Sequence, residues 1–202
     1  MVHSMAFKIP VMGDLAQMLR AKSVSEAGVR AQLTTGGNDG TGAGHLVSIT
    51  IGGGREAAYA RPNSMDVVVN CRKGFVKQAI QTGAYIIPSI TFGENELMDV
   101  VNEESGITAW AMKQISTLLW KTKNQREITL RQGRFGIPFF CPHRRPVNIV
   151  FGYPIPVEQR DESSQKYIKK IHKRYVEDLE QLFRDWRETF GIDRSVKFRI
   201  VE

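Results

Sequence analysis

The chain has 202 residues, of which 42% are hydrophobic and 24% are charged, so we expect a single compact domain spanning residues 1–202. Its formal net charge is +7, and it contains two cysteines, which exclude a disulfide-rich scaffold and a paired-cysteine metal site. No apolar run in these residues reaches the roughly 18 residues of a membrane-spanning helix. Attachment to a membrane surface stays open.

The positive charge is concentrated between residues 121 and 145, where seven basic residues accompany one acid, Glu127. Such a surface can attract anionic lipid headgroups, the phosphates of a soluble molecule or nucleic acid, and it can equally be a solvated face. The sequence has no zinc-ligand spacing, helix-turn-helix signature or stacking aromatic stripe. We therefore expect no nucleic-acid partner. The basic residues are Lys121, Lys123, Arg126, Arg131, Arg134, Arg144 and Arg145.

The first part of the chain predicts helices followed by a loop. Residues 11–33 have helical spacing, and Ser25 is a candidate N-cap for a second short helix. The glycine-rich run GGNDGTGAG, residues 36–44, lacks the GK[ST] ending of a phosphate-binding loop, and a predicted strand follows it instead of preceding it. We therefore interpret this run as a surface loop.

The middle of the chain alternates predicted strands and helices. A helix is predicted at 75–81, with Gly83 as its left-handed end, and another at 96–121. This alternation indicates an α/β fold whose sheet contains parallel pairs. Pro88 places its strand at an edge or a bulge. The segments predicted as strands, short and rich in β-branched residues, are 46–51, 65–70, 85–90 and 147–151.

The last helix has the clearest pattern, because apolar residues recur every three or four positions over about six turns. Asp161 or a neighbouring serine can cap its start, and Gly191 can end it. Its other face mixes acids and bases, so we expect the apolar stripe to pack on the core. The stripe consists of Ile168, Ile171, Tyr175, Leu179, Leu182, Trp186 and Phe190.

Arg72, Lys73 and Gly74 lie where a predicted strand gives way to a helix. Two cations and the unpaired N–H groups of a first helical turn can converge on an anion such as a phosphate. The alternative is that both cations face water or pair with Glu94 or Glu96.

Two glycine turns follow predicted strands, where α/β sheets place their ligands. One consists of Gly52 to Gly54 with Glu56 beyond it, and the other is Gly93 with Glu94. Glycines let a ligand approach the backbone. Glu94 can orient a hydroxyl acceptor or a catalytic imidazole, or it can anchor a loop through backbone N–H groups.

Three stretches together resemble the diacylglycerol acyltransferase type 2 family. They are IGGGREA at residues 51–57, RKGFVKQAIQTGAYIIPSITFGENEL at 72–97, and HRRPVNIVFGYPIPV at 143–157, followed by a helix containing HKRYVEDLEQLF at 172–183. Members of that family carry a glycine pair with a following Glu, then RKGFVKLAL, an apolar strand with Pro, and FGEN. The resemblance implies a glycerolipid-acyltransferase-like sheet flanked by helices, with a long amphipathic carboxyl-terminal helix.

The resemblance also implies an activity. The family moves a fatty acyl group from acyl-CoA, a substrate and not a bound cofactor, to diacylglycerol, or in related enzymes to monoacylglycerol or a fatty alcohol. It implies the cytosolic face of the endoplasmic reticulum or a lipid droplet, and a membrane surface as partner. The residues that it marks as candidates for binding CoA or substrate are Gly52, Gly53, Glu56, Arg72, Lys73, Gly74, Phe75, Gly93, Glu94 and Arg134.

One family feature is missing from this sequence. The family takes its base from a His-Pro-His-Gly motif, and none of the four histidines, His3, His45, His143 and His172, lies in one. The loop at 131–146 is also shorter than its family counterpart. We therefore expect a chain truncated on its amino-terminal side and incomplete as a catalyst. The alternative is a non-catalytic acyltransferase-like module that binds a membrane or a protein partner.

Overall fold

A computed structural model describes residues 14, 18, 22, 24–34, 46–100, 131–136, 141–161 and 164–201. The chain divides into a first unit, residues 1–51, 71–88 and 153–177, and a second unit, residues 52–70, 89–152 and 178–202. The described elements, in chain order, are α1 (Glu26–Thr34), α2 (Gly53–Tyr59), β1 (Met65–Val67), α3 (Gly74–Thr82), β2 (Ser89–Phe92), β3 (Asp99–Val100), β4 (Arg131–Gln132), β5 (Asn148–Phe151), α4 (Gln165–Trp186) and β6 (Phe198–Ile200).

The first unit is built around α3, whose apolar face is buried through Val76, Ala79 and Ile80. The helix ends at Gly83, which has a φ of 70° and donates its N–H to the carbonyl of Ala79. This left-handed ending is the one predicted from the sequence, because glycine adopts positive φ without a steric penalty.

Helix α1 packs beside α3. The hydroxyl of Ser25 accepts a hydrogen bond from the N–H of Gly28 at 3.2 Å, which confirms Ser25 as the N-cap. Glu26, in the first turn, accepts a hydrogen bond from the buried side chain of Gln78 at 2.9 Å. The ammonium of Lys77 also lies 3.8 Å from the Glu26 carboxylate.

The described residues of the second unit form three two-stranded sheets. Strands β1 and β6 are parallel, and Asp66 and Arg199 face each other in a bidentate ion pair of 2.6 and 2.8 Å. Strands β2 and β5 are antiparallel, as are β3 and β4. Phe92 of β2 is fully buried, with the rings of Phe183 and Phe190 at centroid distances of 6.1 and 5.1 Å.

Helix α4 follows Ser164, whose hydroxyl accepts the N–H of Tyr167, so a serine neighbouring Asp161 caps its start. Gly191, beyond its end, has a φ of 71°. No helix among the described residues combines the length and apolar character needed to cross a bilayer. The apolar positions of α4 that are buried are Ile168, Ile171, Tyr175, Leu179, Leu182 and Phe183.

The mixture of helices and strands confirms the α/β class, but several strand predictions need correction. Residues 46–50 have no regular structure, and Leu46 is largely exposed. A strand needs a neighbouring strand with which to form a hydrogen-bonded ladder, and these residues form none with a described strand. The strand predicted at 85–90 begins at Ser89, after Pro88, which has no N–H to donate.

Two further predictions fall partly or wholly outside the described residues. The helix predicted from residue 96 is wrong at its start, where β3 pairs with β4; residues 101–121 are not described. The glycine-rich run at 36–44 also lies outside the described residues.

Candidate functional site

Gly52 and Gly53 lie at the start of α2 and not in the strand-end turn that the sequence predicted. Gly52 has helical φ and ψ of −66° and −36°, and Gly53 has a φ of 59°. The side chain of Glu56 folds back over Gly52, so a Cβ added at Gly52 would overlap the Glu56 carboxylate. Glycine at this position therefore makes room for Glu56.

The Glu56 carboxylate links α2 to the strand that follows it. Its Oε2 accepts a hydrogen bond from the backbone N–H of Val68 at 2.9 Å, just beyond β1. Burial raises the pKa of this carboxyl, the Val68 hydrogen bond lowers it, and the nearby charge of Glu94 raises it, with a net increase. Glu56 is thus a half-buried acid whose carboxylate holds the backbone N–H of Val68.

Gly93 and Glu94 form a tight turn after β2. Gly93 has a φ of 88°, and a Cβ there would overlap the carbonyl oxygen of Pro146. The next two side chains anchor the turn, since Asn95 donates to the Ser64 carbonyl at 2.9 Å and Glu96 accepts the N–H of Asn63 at 3.3 Å. The Glu94 side chain is left exposed.

Arg131 was predicted only as part of a basic stretch and not as a site residue. Its Nη2 donates to the carbonyls of Ala57 and Ala60 at 2.6 and 2.8 Å, at the carboxyl end of α2. Arg61 also donates to carbonyls there, those of Ala58 and Ala60, at 3.0 Å each. Cations are favourable at this end of a helix, where carbonyl groups lack intrahelical partners.

We call Glu56, Arg61, Glu94 and Arg131 the α2 cluster. Burial lowers the pKa of Arg131, the charge of Arg61 lowers it further, and the charge of Glu94 raises it. The structure therefore places Glu94 where its charge acts on two residues, the predicted Glu56 and Arg131, and Arg131 comes from a distant part of the chain. The spacing of the sequence gives no signal for this arrangement.

Arg134, also predicted, lies in the loop after β4. Its backbone N–H donates to the carbonyl of Cys141 at 2.7 Å, and its guanidinium lies 5.5 Å from the centroid of the Phe135 ring. Its Nε is buried and has no hydrogen-bond partner within the described part of the chain. Phe135 has a φ of 65° and is 82% exposed.

The remaining predicted residues lie in the first unit, at the start of α3. Lys73 is the N-cap and is exposed, and no side chain within the described ranges caps the free N–H groups of the first turn. The Nε of Arg72 is buried without a hydrogen-bond partner there. We call Arg72 and Lys73 the α3 cation pair. Gly74 faces open space, and Phe75 packs edge-on against Tyr175 at 4.9 Å.

The two described histidines both have structural contacts. His143 places its Nε2 2.9 Å from the Asp99 carboxylate and donates its backbone N–H to Leu97 at 2.8 Å. His172 is buried, with its ring 6.2 Å from that of Phe75. His3 and His45 lie outside the described residues. Among those that are described, no group of three or more His, Cys, Asp or Glu side chains is arranged to hold a metal ion.

Three known acyltransferases illustrate what the chain is similar to. It is 34% identical to diacylglycerol O-acyltransferase 2A of Umbelopsis ramanniana, over 97% of this chain and 54% of the relative. It is 31% identical to diacylglycerol O-acyltransferase 2-like protein 6 of Homo sapiens, over 96% and 57% respectively. It is 31% identical to 2-acylglycerol O-acyltransferase 1 of Bos taurus, over 76% and 46%.

The chain thus spans about half the length of these relatives. No solved structure matches it. The family model for diacylglycerol acyltransferase matches residues 1–201, which is nearly the whole chain. By this match and by its identity to curated members, the chain belongs to the diacylglycerol acyltransferase family.

Proposed function

We propose that this chain is part of an acyl-CoA-dependent O-acyltransferase that acts on diacylglycerol and forms triacylglycerol. In this reaction the acyl carbon leaves the CoA sulfur and bonds to a hydroxyl oxygen of the acceptor, the hydroxyl proton is removed, and CoA leaves as the thiol. The names of the relatives support the reaction, and they include acceptors of three kinds: diacylglycerol, 2-acylglycerol and wax alcohol. Monoacylglycerol and fatty alcohol therefore stay as alternative acceptors.

The observation that carries the proposal is the α3 cation pair. The two cations and the uncapped N–H groups of the first turn concentrate positive charge at the start of α3. The Nε of Arg72 is buried there, and no described group accepts a hydrogen bond from it. A buried polar atom without a partner is costly, and an anion relieves that cost. CoA carries phosphate and pyrophosphate groups, so we assign Arg72, Lys73 and Gly74 to its recognition, with Phe75 fixing the turn against Tyr175.

We assign the candidates of the second unit to substrate contacts of their own. Glu94 is exposed and held by an anchored turn, so its carboxylate can accept a hydrogen bond from a hydroxyl group. Gly52 leaves room for the Glu56 side chain, Gly93 leaves room for the Pro146 carbonyl, and Gly53 faces open space in which a substrate could approach the backbone. Arg134, whose Nε has no hydrogen-bond partner among the described residues, is a candidate contact for an anionic group of a substrate.

Proton removal needs a base, and we assign none within this sequence. We assign the candidate residues of this chain to binding and orienting the substrates. The family's His-Pro-His-Gly motif is absent from these 202 residues. We propose that both units belong to one glycerolipid-acyltransferase-like domain. We propose that this domain acts on the cytosolic face of the endoplasmic reticulum or on the surface of a lipid droplet, where diacylglycerol is present.

The test is acyl transfer from labelled oleoyl-CoA to diacylglycerol on membranes of cells that lack other triacylglycerol synthesis. The chain is expressed alone and joined to the part of the Umbelopsis ramanniana relative that it does not match. We expect label in triacylglycerol from the joined protein only. Replacing Arg72 and Lys73 with Ala in the joined protein should reduce the rate at least about tenfold, as loss of charged phosphate contacts does.

The matched control replaces Lys169 and Lys170, an adjacent and exposed pair of cations on α4 in the same unit, with Ala. It should leave the rate unchanged. The second candidate function, a non-catalytic module, is favoured by the absent histidine motif. A joined protein that folds, reaches membranes and transfers no acyl group would replace the enzyme proposal with that one.

A further inference from the structure

The outer face of β5 carries apolar side chains where water-facing residues would be polar. Val150 points inward and is buried, whereas Val147, Ile149 and Phe151 alternate with the inward positions and are 42%, 58% and 60% exposed. The residues of β2 opposite Ile149 and Phe151 are Thr91 and Ser89. We call Val147, Ile149 and Phe151 the β5 outer row.

An antiparallel pair with one face on a core normally turns polar residues toward water on the other face. Ser89 and Thr91 are short, so they do not cover the apolar side chains opposite them. A contiguous row of large exposed apolar residues marks a surface that contacts something other than water.

The charges around the row indicate the kind of surface that it contacts. Arg144 and Arg145 precede the row, separated from it only by Pro146, and are both exposed. Residues 141–157 contain no acid, and the nearby Asp99 carboxylate is already paired with His143 at 2.9 Å. Apolar side chains flanked by arginines that have no ion-pair partner in the described residues match the two layers of an anionic bilayer surface, its acyl boundary and its headgroups.

We propose that the β5 outer row and the two arginines before it rest on an anionic lipid surface. The inference rests on the proposed function in one respect: the acyl acceptor is a lipid, and a docked sheet face would keep the chain at the surface that supplies it. Docking itself requires neither CoA nor acyl transfer. Failure of docking is therefore distinguishable from failure of the enzyme proposal.

The experiment measures the fraction of the 202-residue chain that sediments with vesicles, without acyl-CoA. One set of vesicles is phosphatidylcholine alone, and the other contains phosphatidylserine. We expect preference for the anionic vesicles. Replacing Ile149 and Phe151 with Ser should weaken binding to both sets about tenfold, because two partly inserted apolar side chains are lost. Replacing Arg144 and Arg145 with Glu should abolish the preference for phosphatidylserine.

Two control variants test whether vesicle binding depends on this surface or on any exposed apolar side chain and any exposed cation. Leu46→Ser removes an apolar side chain that is 75% exposed in the first unit, and Arg194→Glu reverses an exposed cation in the second. Both should bind as the unaltered chain does. Circular dichroism of each variant checks that the helices remain.

A second readout does not depend on loss of binding. Phe151→Trp should become protected from water and quenched by brominated lipid on anionic vesicles, whereas Leu46→Trp should not. Unchanged sedimentation of the serine variant, with no quenching at position 151, would overturn the proposal. A shift of that variant to a smaller species in gel filtration, without any change in vesicle binding, would assign the face to a second copy instead.

Discussion

Two of the described helix ends, the carboxyl end of α2 and the amino end of α3, carry arginines that differ in what they contact. At the carboxyl end of α2, Arg61 and Arg131 donate to the carbonyls that the helix leaves unpaired. At the amino end of α3, Arg72 and Lys73 accompany uncapped N–H groups, and the Nε of Arg72 is buried without a partner in the described part of the chain. At the end of α2 the carbonyls and the arginines satisfy one another, whereas at the start of α3 we propose an anion as the partner of the cations and N–H groups.

The comparison distinguishes a structural clamp, formed by Arg61 and Arg131, from the anion site that we propose at Arg72 and Lys73. If it is correct, substitutions in the α2 cluster lower the free energy of unfolding, and substitutions in the α3 cation pair lower affinity for an anion with little effect on unfolding.

Gly52→Ala should be the most destabilising change, by about 3 kcal/mol, because the added methyl group overlaps the Glu56 carboxylate and displaces it from the Val68 N–H. Urea denaturation measures the loss. Gly74→Ala, at a glycine that faces open space, is the control and should change stability by less than about 1 kcal/mol. Equal effects of the two substitutions would contradict the fold-back of Glu56.

Arg131→Ala should destabilise by about 2 kcal/mol, because it removes two charged hydrogen bonds to the Ala57 and Ala60 carbonyls from a part-buried site. Arg61→Ala removes bonds to the same helix end from an exposed side chain and should cost about half as much. The same denaturation experiment compares them. If Arg131→Ala were as stable as the unaltered chain, Arg131 would not clamp α2.

Glu56→Gln should change the pH dependence of stability. Because the folded pKa of Glu56 is raised by burial, the folded state binds the proton more tightly than the unfolded state does. The stability of the unaltered chain should then fall as pH rises from the ordinary glutamate pKa through the raised one. The glutamine variant keeps an acceptor for Val68 and should lack this fall.

Unfolding free energies measured at increasing pH, starting near the ordinary glutamate pKa of about 4.3, follow the effect. Glu188→Gln is a control at an exposed acid. A glutamine variant at position 56 with the same pH slope as the unaltered chain would show that Glu56 is not the source.

The paired substitution of Arg72 and Lys73 by Ala should have the smallest effect on unfolding, within about 0.5 kcal/mol, because neither side chain has an ion-pair partner in the described residues. Denaturation repeated with added CoA gives the contrast. CoA should stabilise the unaltered chain and fail to stabilise this variant, since a ligand stabilises only the state that binds it.

Local signals in the sequence were sufficient for features that depend on neighbouring residues. The N-cap at Ser25, the left-handed ending at Gly83 and the strand over β5 all follow from residue type and short spacing. Each requires only a capping oxygen, a glycine or an alternation of burial.

Features that depend on distant partners were not predictable in this way. Residues 46–51 have the composition of a strand, but they form no ladder with a described strand, so composition alone gave the wrong prediction. Arg131 meets the carbonyl of Ala57 across 74 positions of the chain, and no spacing rule reports such a contact. The fold-back of Glu56 over Gly52 was missed because the glycines suggested a turn, whereas they admit a side chain beside the backbone of a helix.

The most direct test of the account is calorimetric titration of CoA into the 202-residue chain, the Arg72→Ala/Lys73→Ala variant and the Lys169→Ala/Lys170→Ala control. The account predicts that CoA binds the unaltered chain and the control alike, with affinity that falls as salt rises, and that the first variant binds at least about tenfold more weakly. Equal affinity of all three proteins for CoA, or no binding by the folded chain, would contradict the assignment of the α3 cation pair as the anion site.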